Sequence, residues 1–214
     1  MKGLFFDTNK SGKLKVISEI VDKHVRVVFI DTGYETMARV DSVRNGAVKD
    51  KLSRSVHGVG FIGDGDHVTS INGFNTKKSL CWQRMLGRCY DRNYIHYNSY
   101  KDCTVCDEWH NFQIFASWHD DNYPNDGGSY HLDKDIKIKG NRIYSPNACK
   151  FVTRDENIEA AKAKYFHAIS PDGECVTIYN LAKFCRENKL NKSNMHKVLT
   201  GKNRSCKGWT NASV

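Results

Sequence analysis

Apolar and polar positions alternate through the first third of the chain. In His24-Val25-Arg26-Val27-Val28-Phe29-Ile30, the residues Val25, Val27 and Phe29 fall on one face, which predicts a strand buried on one side. Residues 14–21 predict a second strand with imperfect alternation. Asp31-Thr32-Gly33 supplies a turn, residues 36–43 a return strand, and Arg44-Asn45-Gly46 a further turn. The expected product is a small sheet or partial barrel. Beyond residue 72 the period becomes helical. Asn75 or Thr76 can cap a segment in which Cys81, Met85 and Cys89 recur every fourth residue, with Trp82 and Leu86 beside them. A second helix is expected over 108–119, with Trp109, Phe112, Phe115 and Ala116 turned inward as core.

The last stretch reads as a compact unit. Phe166-His167-Ala168-Ile169-Ser170 and Cys175-Val176-Thr177-Ile178 flank the hairpin turn Pro171-Asp172-Gly173. Asn180 caps a helix carrying Leu181, Ala182, Phe184 and Cys185. A second helix starts near Lys192-Ser193, carries Met195, Val198 and Leu199, and ends at Gly201. The pattern divides the chain into an N-terminal β-rich accessory domain (1–72), a central core (73–164) and a hairpin with two helices (165–214). The fold class is α+β.

Charge sharpens this picture. Lys and Arg number 33 against 24 Asp and Glu, a formal net charge of +9, which favours a polyanionic partner. The excess is uneven: from Tyr165 onward eight basic residues oppose three acidic ones. Two short helices with a tight turn and this charge read as a helix-turn-helix. Lys192, Ser193, Asn194, His196 and Lys197 would face a major groove of double-stranded DNA, with Lys202 and Arg204 beyond. Arg84, Arg88 and Arg92, also four apart, form either a phosphate-gripping stripe or a solvated face. Lys49, Lys51 and Arg54 pose the same choice. No apolar run approaches the ~18 residues of a membrane span, and the first residues lack the apolar stretch of a signal peptide, so a cytoplasmic protein is expected. The eight cysteines then read mostly as buried reduced thiols. Cys103-x-x-Cys106 leaves open half of a Zn²⁺ site, completed by Cys89 or Cys149 and a histidine. His110 and His119 are expected on helix surfaces, with His119 beside Asp120 and Asp121 as a further metal-edge candidate.

The densest chemistry lies in Tyr130-His131-Leu132-Asp133-Lys134-Asp135-Ile136, Gly140-Asn141 and Tyr144-Ser145-Pro146-Asn147-Ala148-Cys149. After a short strand at 149–152, a helix begins near Thr153. If strand and helix pack together, Asp133 and Asn157 lie side by side. A carboxylate and an amide oxygen are hard ligands that suit one Mg²⁺ (or Mn²⁺) keeping several waters and taking phosphate oxygens.

The run Ser145-Pro146-Asn147-Ala148-Cys149-Lys150-Phe151-Val152-Thr153-Arg154-Asp155-Glu156-Asn157 resembles the HNH, or ββα-metal, nucleases, particularly their phage homing-endonuclease branch. The upstream Trp82-x-x-Met85-Leu86-x-Arg88-Cys89-Tyr90 and Val105-Cys106-x-Glu108-Trp109-x-x-Phe112 are similar to the preface of that motif. The C-terminal segment resembles the helix-turn-helix modules attached to such nucleases, and Gly201-Lys202 through Gly208-Trp209 is similar to their closing strand. The resemblance covers roughly residues 79–210. It implies a ββα-metal core and a DNA endonuclease or nickase; a monomer or weak dimer is expected. It also implies Asp133 and Asn157 as metal ligands and Asn147 as the residue that pins the loop by hydrogen bonds. The family places a histidine directly after the first Asp, where it deprotonates water; here stands Lys134. A lysine with an ordinary pKa of about 10.4 is a poor base, so Lys134 is expected to pair with the scissile phosphate. His131 is then the base, with a histidine's ordinary pKa of about 6.5. Asp135 shares the strand face of Asp133 and is a candidate further ligand. The alternative is a catalytically inactive scaffold kept as a sequence-specific DNA-binding regulator.

Overall fold

The computed structural model describes residues 1–162 and 165–212. Its first strands, β1 (Phe5–Asp7), β2 (Lys13–Val16), β3 (His24–Phe29) and β4 (Glu35–Arg39), form an antiparallel sheet in chain order. Alternation decides the buried face: Leu14, Val16, Val25, Val27 and Phe29 are buried, whereas Lys13, His24 and Arg26 face solvent. Leu14 lies opposite Phe29 and Val16 opposite Val27, so apolar side chains meet across strands. The return strand is shorter than its pattern. After Arg39 the chain enters helix α1 (Val40–Arg44), and Val40 and Val43 join the same core. Those two valines are also three apart, the spacing of one helix face, and packing selects the helix. Lys51, one of the basic trio of this segment, is engaged by Asp64 at 2.7 Å.

Val56, Val59 and Ile62 pack against a second core instead. A short hairpin, β5 (Ser70–Ile71) and β6 (Phe74–Asn75), leads into α2 (Lys77–Tyr90), whose N-terminus is capped by Thr76 Oγ1 accepting the Ser79 N–H at 3.2 Å. Then come α3 (Tyr97–Tyr100), β7 (Thr104–Val105), a 3₁₀ turn over Asp107–His110 and α4 (Phe112–Asn122). The helix expected over 108–119 is therefore split at Asn111, whose side chain caps α4 by accepting the Gln113 N–H at 2.9 Å. Trp82, Met85 and Leu86 of α2 bury themselves against Trp109, Phe112, Phe115 and Ala116. The Trp82 indole donates to the Trp109 carbonyl at 2.7 Å, so this buried polar group is satisfied. All eight cysteines are free thiols, and burial pushes Cys89 and Cys149 up to about 12.

The chain continues through β8 (His131–Asp133), β9 (Ile143–Tyr144), β10 (Lys150–Val152) and α5 (Arg154–Lys162). β8 and β10 pair antiparallel, and β9 runs parallel to β7. A third core follows, built from β11 (Phe166–Ile169), β12 (Cys175–Ile178), α6 (Leu181–Glu187), α7 (Lys192–Leu199) and β13 (Thr210–Asn211), with sheet order β12-β11-β13. Both helices begin at capping asparagines: Asn180 accepts the N–H groups of Ala182 and Lys183 at 3.1 Å, and Asn191 that of Asn194 at 3.0 Å. Ala168, Ile178, Cys185, Met195 and Leu199 form the centre of this core. The protein is thus a mixed α+β fold. Among the described residues no helix is long and apolar enough to cross a membrane.

Candidate active site

The central strand pair and its following helix bring the predicted chemistry together. In the β8–β10 register Asp133 lies opposite Lys150 and His131 opposite Val152. His131 and Asp133, two apart, therefore share one face of β8, while Leu132 turns into the core. The start of α5 is fixed by a reciprocal capping box. Glu156 Oε2 accepts the Thr153 N–H at 2.8 Å, and Thr153 Oγ1 accepts the Glu156 N–H at 3.2 Å. The Thr153 N–H and the Thr153 hydroxyl, both donating to Oε2, hold the Glu156 carboxyl below its ordinary value. Asn157 follows immediately. It lines, together with Asp133, two cavities of about 260 and 290 Å³. Arg88 and His131 complete the wall of the first, and Tyr165 and Tyr179 that of the second.

Asp133 is oriented by the chain that follows it. Its Oδ1 accepts the N–H groups of Asp135 at 2.8 Å and Ile136 at 2.7 Å. Its Oδ2 makes no hydrogen bond among the described residues. One carboxylate oxygen is thus spent on local structure and one is left for a ligand. Together with the Asn157 amide oxygen, this donor set fits a single hard cation such as Mg²⁺ or Mn²⁺ that retains water. No cluster of three or more His, Cys, Asp or Glu side chains able to hold a metal ion occurs among the described residues. The Zn²⁺ candidate accordingly lacks a third ligand: Cys103 is buried in the second core and Cys106 packs against it.

Lys134 takes a different place from the one expected of it. It is 6% exposed, and its Nζ donates to both carboxylate oxygens of Asp135 at 2.8 Å and to the Asn141 carbonyl at 3.0 Å. The rings of Tyr100 and Tyr144 lie 5.8 Å from Nζ. Burial works against its charge, but the hydrogen bonds and charge of Asp135 outweigh it and hold the ammonium above the ordinary lysine value. Lys134 is neither a base nor a free cation, and Asp135 has both oxygens occupied as its counter-ion.

Asn147 does not pin the loop. It is exposed, and its side chain makes no hydrogen bond among the described residues; the Cys149 N–H closes that turn onto the Ser145 carbonyl at 2.9 Å instead. The latch is Asn141, whose amide donates to the carbonyls of Lys134 at 2.9 Å and Ile143 at 2.7 Å. The Gly140-Asn141 turn signal marked its position but not its partners.

The arginine stripe is bent. Arg84 and Arg88 are on α2, but the helix ends at Tyr90, so Arg92 falls beyond it. Arg88 leaves solvent to lie over the rings of Tyr100 and Tyr144, at 5.2 and 5.6 Å. His119 is not a surface residue either: it is 6% exposed, stacks on Tyr123 at 5.0 Å and is lowered below the ordinary histidine value by burial. His110 is half-sequestered and lowered for the same reason. In the third unit Lys192, Ser193, Asn194, His196 and Lys197 line the solvent side of α7, and Lys202 and Arg204 are exposed in the turn after it.

No protein-family model and no curated protein matches the chain. One solved structure, described as DNA binding and cleavage by the HNH homing endonuclease I-HmuI, is 15% identical over 95% of this chain and 84% of that chain, with a TM-score of 0.23. So loose a superposition carries no argument, and the functional reading stands on the residues.

Proposed function

We propose that the chain is a DNA endonuclease or nickase that hydrolyses a phosphodiester with one divalent metal ion. The observation that carries this reading is the convergence of Asp133, from a strand, and Asn157, from the helix packed on it, on the same two cavities, the first of which Arg88 and His131 also line. A cation held by these two oxygens supplies charge neutralisation at the phosphate and at the departing 3′ oxygen. The protein's own groups do the rest. Arg88, desolvated against two tyrosine rings, presents a fixed positive charge to the phosphate. His131, exposed on the face it shares with Asp133, accepts a proton on an imidazole nitrogen from the attacking water. The solvent face of α7 and the turn behind it, with Lys192, Ser193, Asn194, His196, Lys197, Lys202 and Arg204, select the duplex site as a helix-turn-helix. In this reading residues 1–72 are an accessory domain, 73–164 the cutting core and 165–214 the targeting module.

One observation favours a second reading, a DNA-binding regulator with dead chemistry. The position after Asp133 holds a lysine locked in a buried ion pair, so nothing there can take a proton. Supercoiled plasmid incubated with protein and Mg²⁺ or Mn²⁺ separates the two. Nicked or linear product from the native chain, lost in Asp133→Ala, Asn157→Ala and His131→Ala, is the expected result. Plasmid that stays supercoiled while duplex DNA is still bound leaves only the regulator.

A further inference from the structure

Beside the proposed cutting site lies a larger cleft of about 380 Å³, between α2, α4 and the β8–β10 pair; of its lining the chemistry above uses only Arg88 and His131. Lys77, Arg84 and Arg88 line it together with His119 and His131, and no Asp or Glu contributes to its wall. Among the described residues none of the three cations has a carboxylate within ion-pair distance. The neighbouring Lys78, by contrast, is neutralised by Asp120 at 2.6 Å. His119 is buried in the wall of this cleft, with its Nδ1 3.5 Å from Asp120 Oδ1. Three cations without carboxylate partners in one concavity are the feature of a site built for an anion. Arg88, His131 and Leu132 belong to the walls of both this cleft and the Asp133–Asn157 cavity. An occupant of one is therefore continuous with an occupant of the other.

We propose that this cleft is a phosphate subsite, taking a phosphodiester group of the same strand whose neighbouring phosphate lies against Asp133 and Asn157. The inference rests on the nuclease reading for its choice of ligand, but not for its test. Binding of a short mixed-sequence DNA duplex is measured in EDTA, where no cutting occurs, as a function of salt. Each lost phosphate contact lowers the slope of log K against log salt by about 0.9, so Lys77→Gln/Arg84→Gln is expected to lower it by about two. Both side chains are exposed, so the variant keeps its fold, which circular dichroism verifies. In the native chain the His119 ring resonances are expected to move when duplex is added and to stay still with sodium phosphate at equal phosphate concentration. An unchanged salt slope, a His119 ring indifferent to duplex, or an equal response to sodium phosphate overturns the subsite. A chain that passes this test yet leaves plasmid uncut with Mg²⁺ refutes the nuclease reading alone.

Discussion

Replacing Lys134 by methionine tests whether the ion pair in the site loop is structural. The side chain keeps its length and apolar stem and loses the ammonium. Three hydrogen bonds go with it, two to Asp135 and one to the Asn141 carbonyl. Hydrogen bonds to charged groups contribute about 1.5–3 kcal/mol, and an orphaned buried carbonyl costs about 1–3 kcal/mol. Asp135 is 52% exposed and is rehydrated when its partner leaves, which discounts its share heavily. The net expectation is a loss of about 2 kcal/mol, a fall in melting temperature of roughly 4–8 °C for a chain of this size. Urea unfolding followed by tryptophan fluorescence reads it, because Trp82, Trp109 and Trp118 all belong to or pack on the second core. The folded-state pKa of Lys134 is raised above 10.5, so its contribution is complete below pH 10.5 and is lost only as pH rises through that higher value. The penalty should accordingly be flat through neutrality. A cycle with Asp135→Asn should return a coupling of about 1 kcal/mol or more. A Lys134→Met protein as stable as the parent, or additive effects in the cycle, would refute the assignment.

Other perturbations follow from the same geometry. Asn141→Ala should cost about 1–3 kcal/mol by freeing two backbone carbonyls, whereas Asn147→Ala should stay within about 0.5 kcal/mol; parallel urea titrations compare them. Thr153→Ala should destabilise the start of α5 by about 1 kcal/mol, and hydrogen exchange at the Glu156 and Asn157 amides should report the fraying. Trp82→Ala, which empties a fully buried site, should cost about 3–5 kcal/mol in the same urea assay. His110 and His119 are both lowered by burial, so the unfolded chain binds protons more readily than the folded one as pH drops below 6.5. Stability should fall over that window, and less steeply in His119→Phe; an unchanged slope would contradict the burial of this ring.

Local signals were the ones a sequence could carry. The alternation of Val25, Val27 and Phe29 and the four-residue spacing of Cys81, Met85 and Cys89 each describe one face of one element. Asn180 bonds within three residues of itself, so its cap could be recognised without knowing the fold. The strand–helix placement of Asp133 and Asn157 was legible for the same reason, since each stands next to its own turn or cap. What escaped depended on distant partners. Arg88 reads as one of three equal arginines until Tyr100 and Tyr144 fold against it. His119 looks like a polar helix residue until Phe151 of β10 covers it, with ring centroids 5.1 Å apart. Lys134 reads as a mobile cation because nothing in its neighbourhood announces the return of Asn141.

The order of strands in the last sheet has a consequence for biosynthesis. β11 is the middle strand, flanked by β12 just after it and by β13 some forty positions later. A nascent chain can zip the hairpin early, but Ala168 and Ile169 keep an open, adhesive margin until Asn211 clears the ribosome. The packing of α7 against β13 therefore forms after the central unit has already had time to fold.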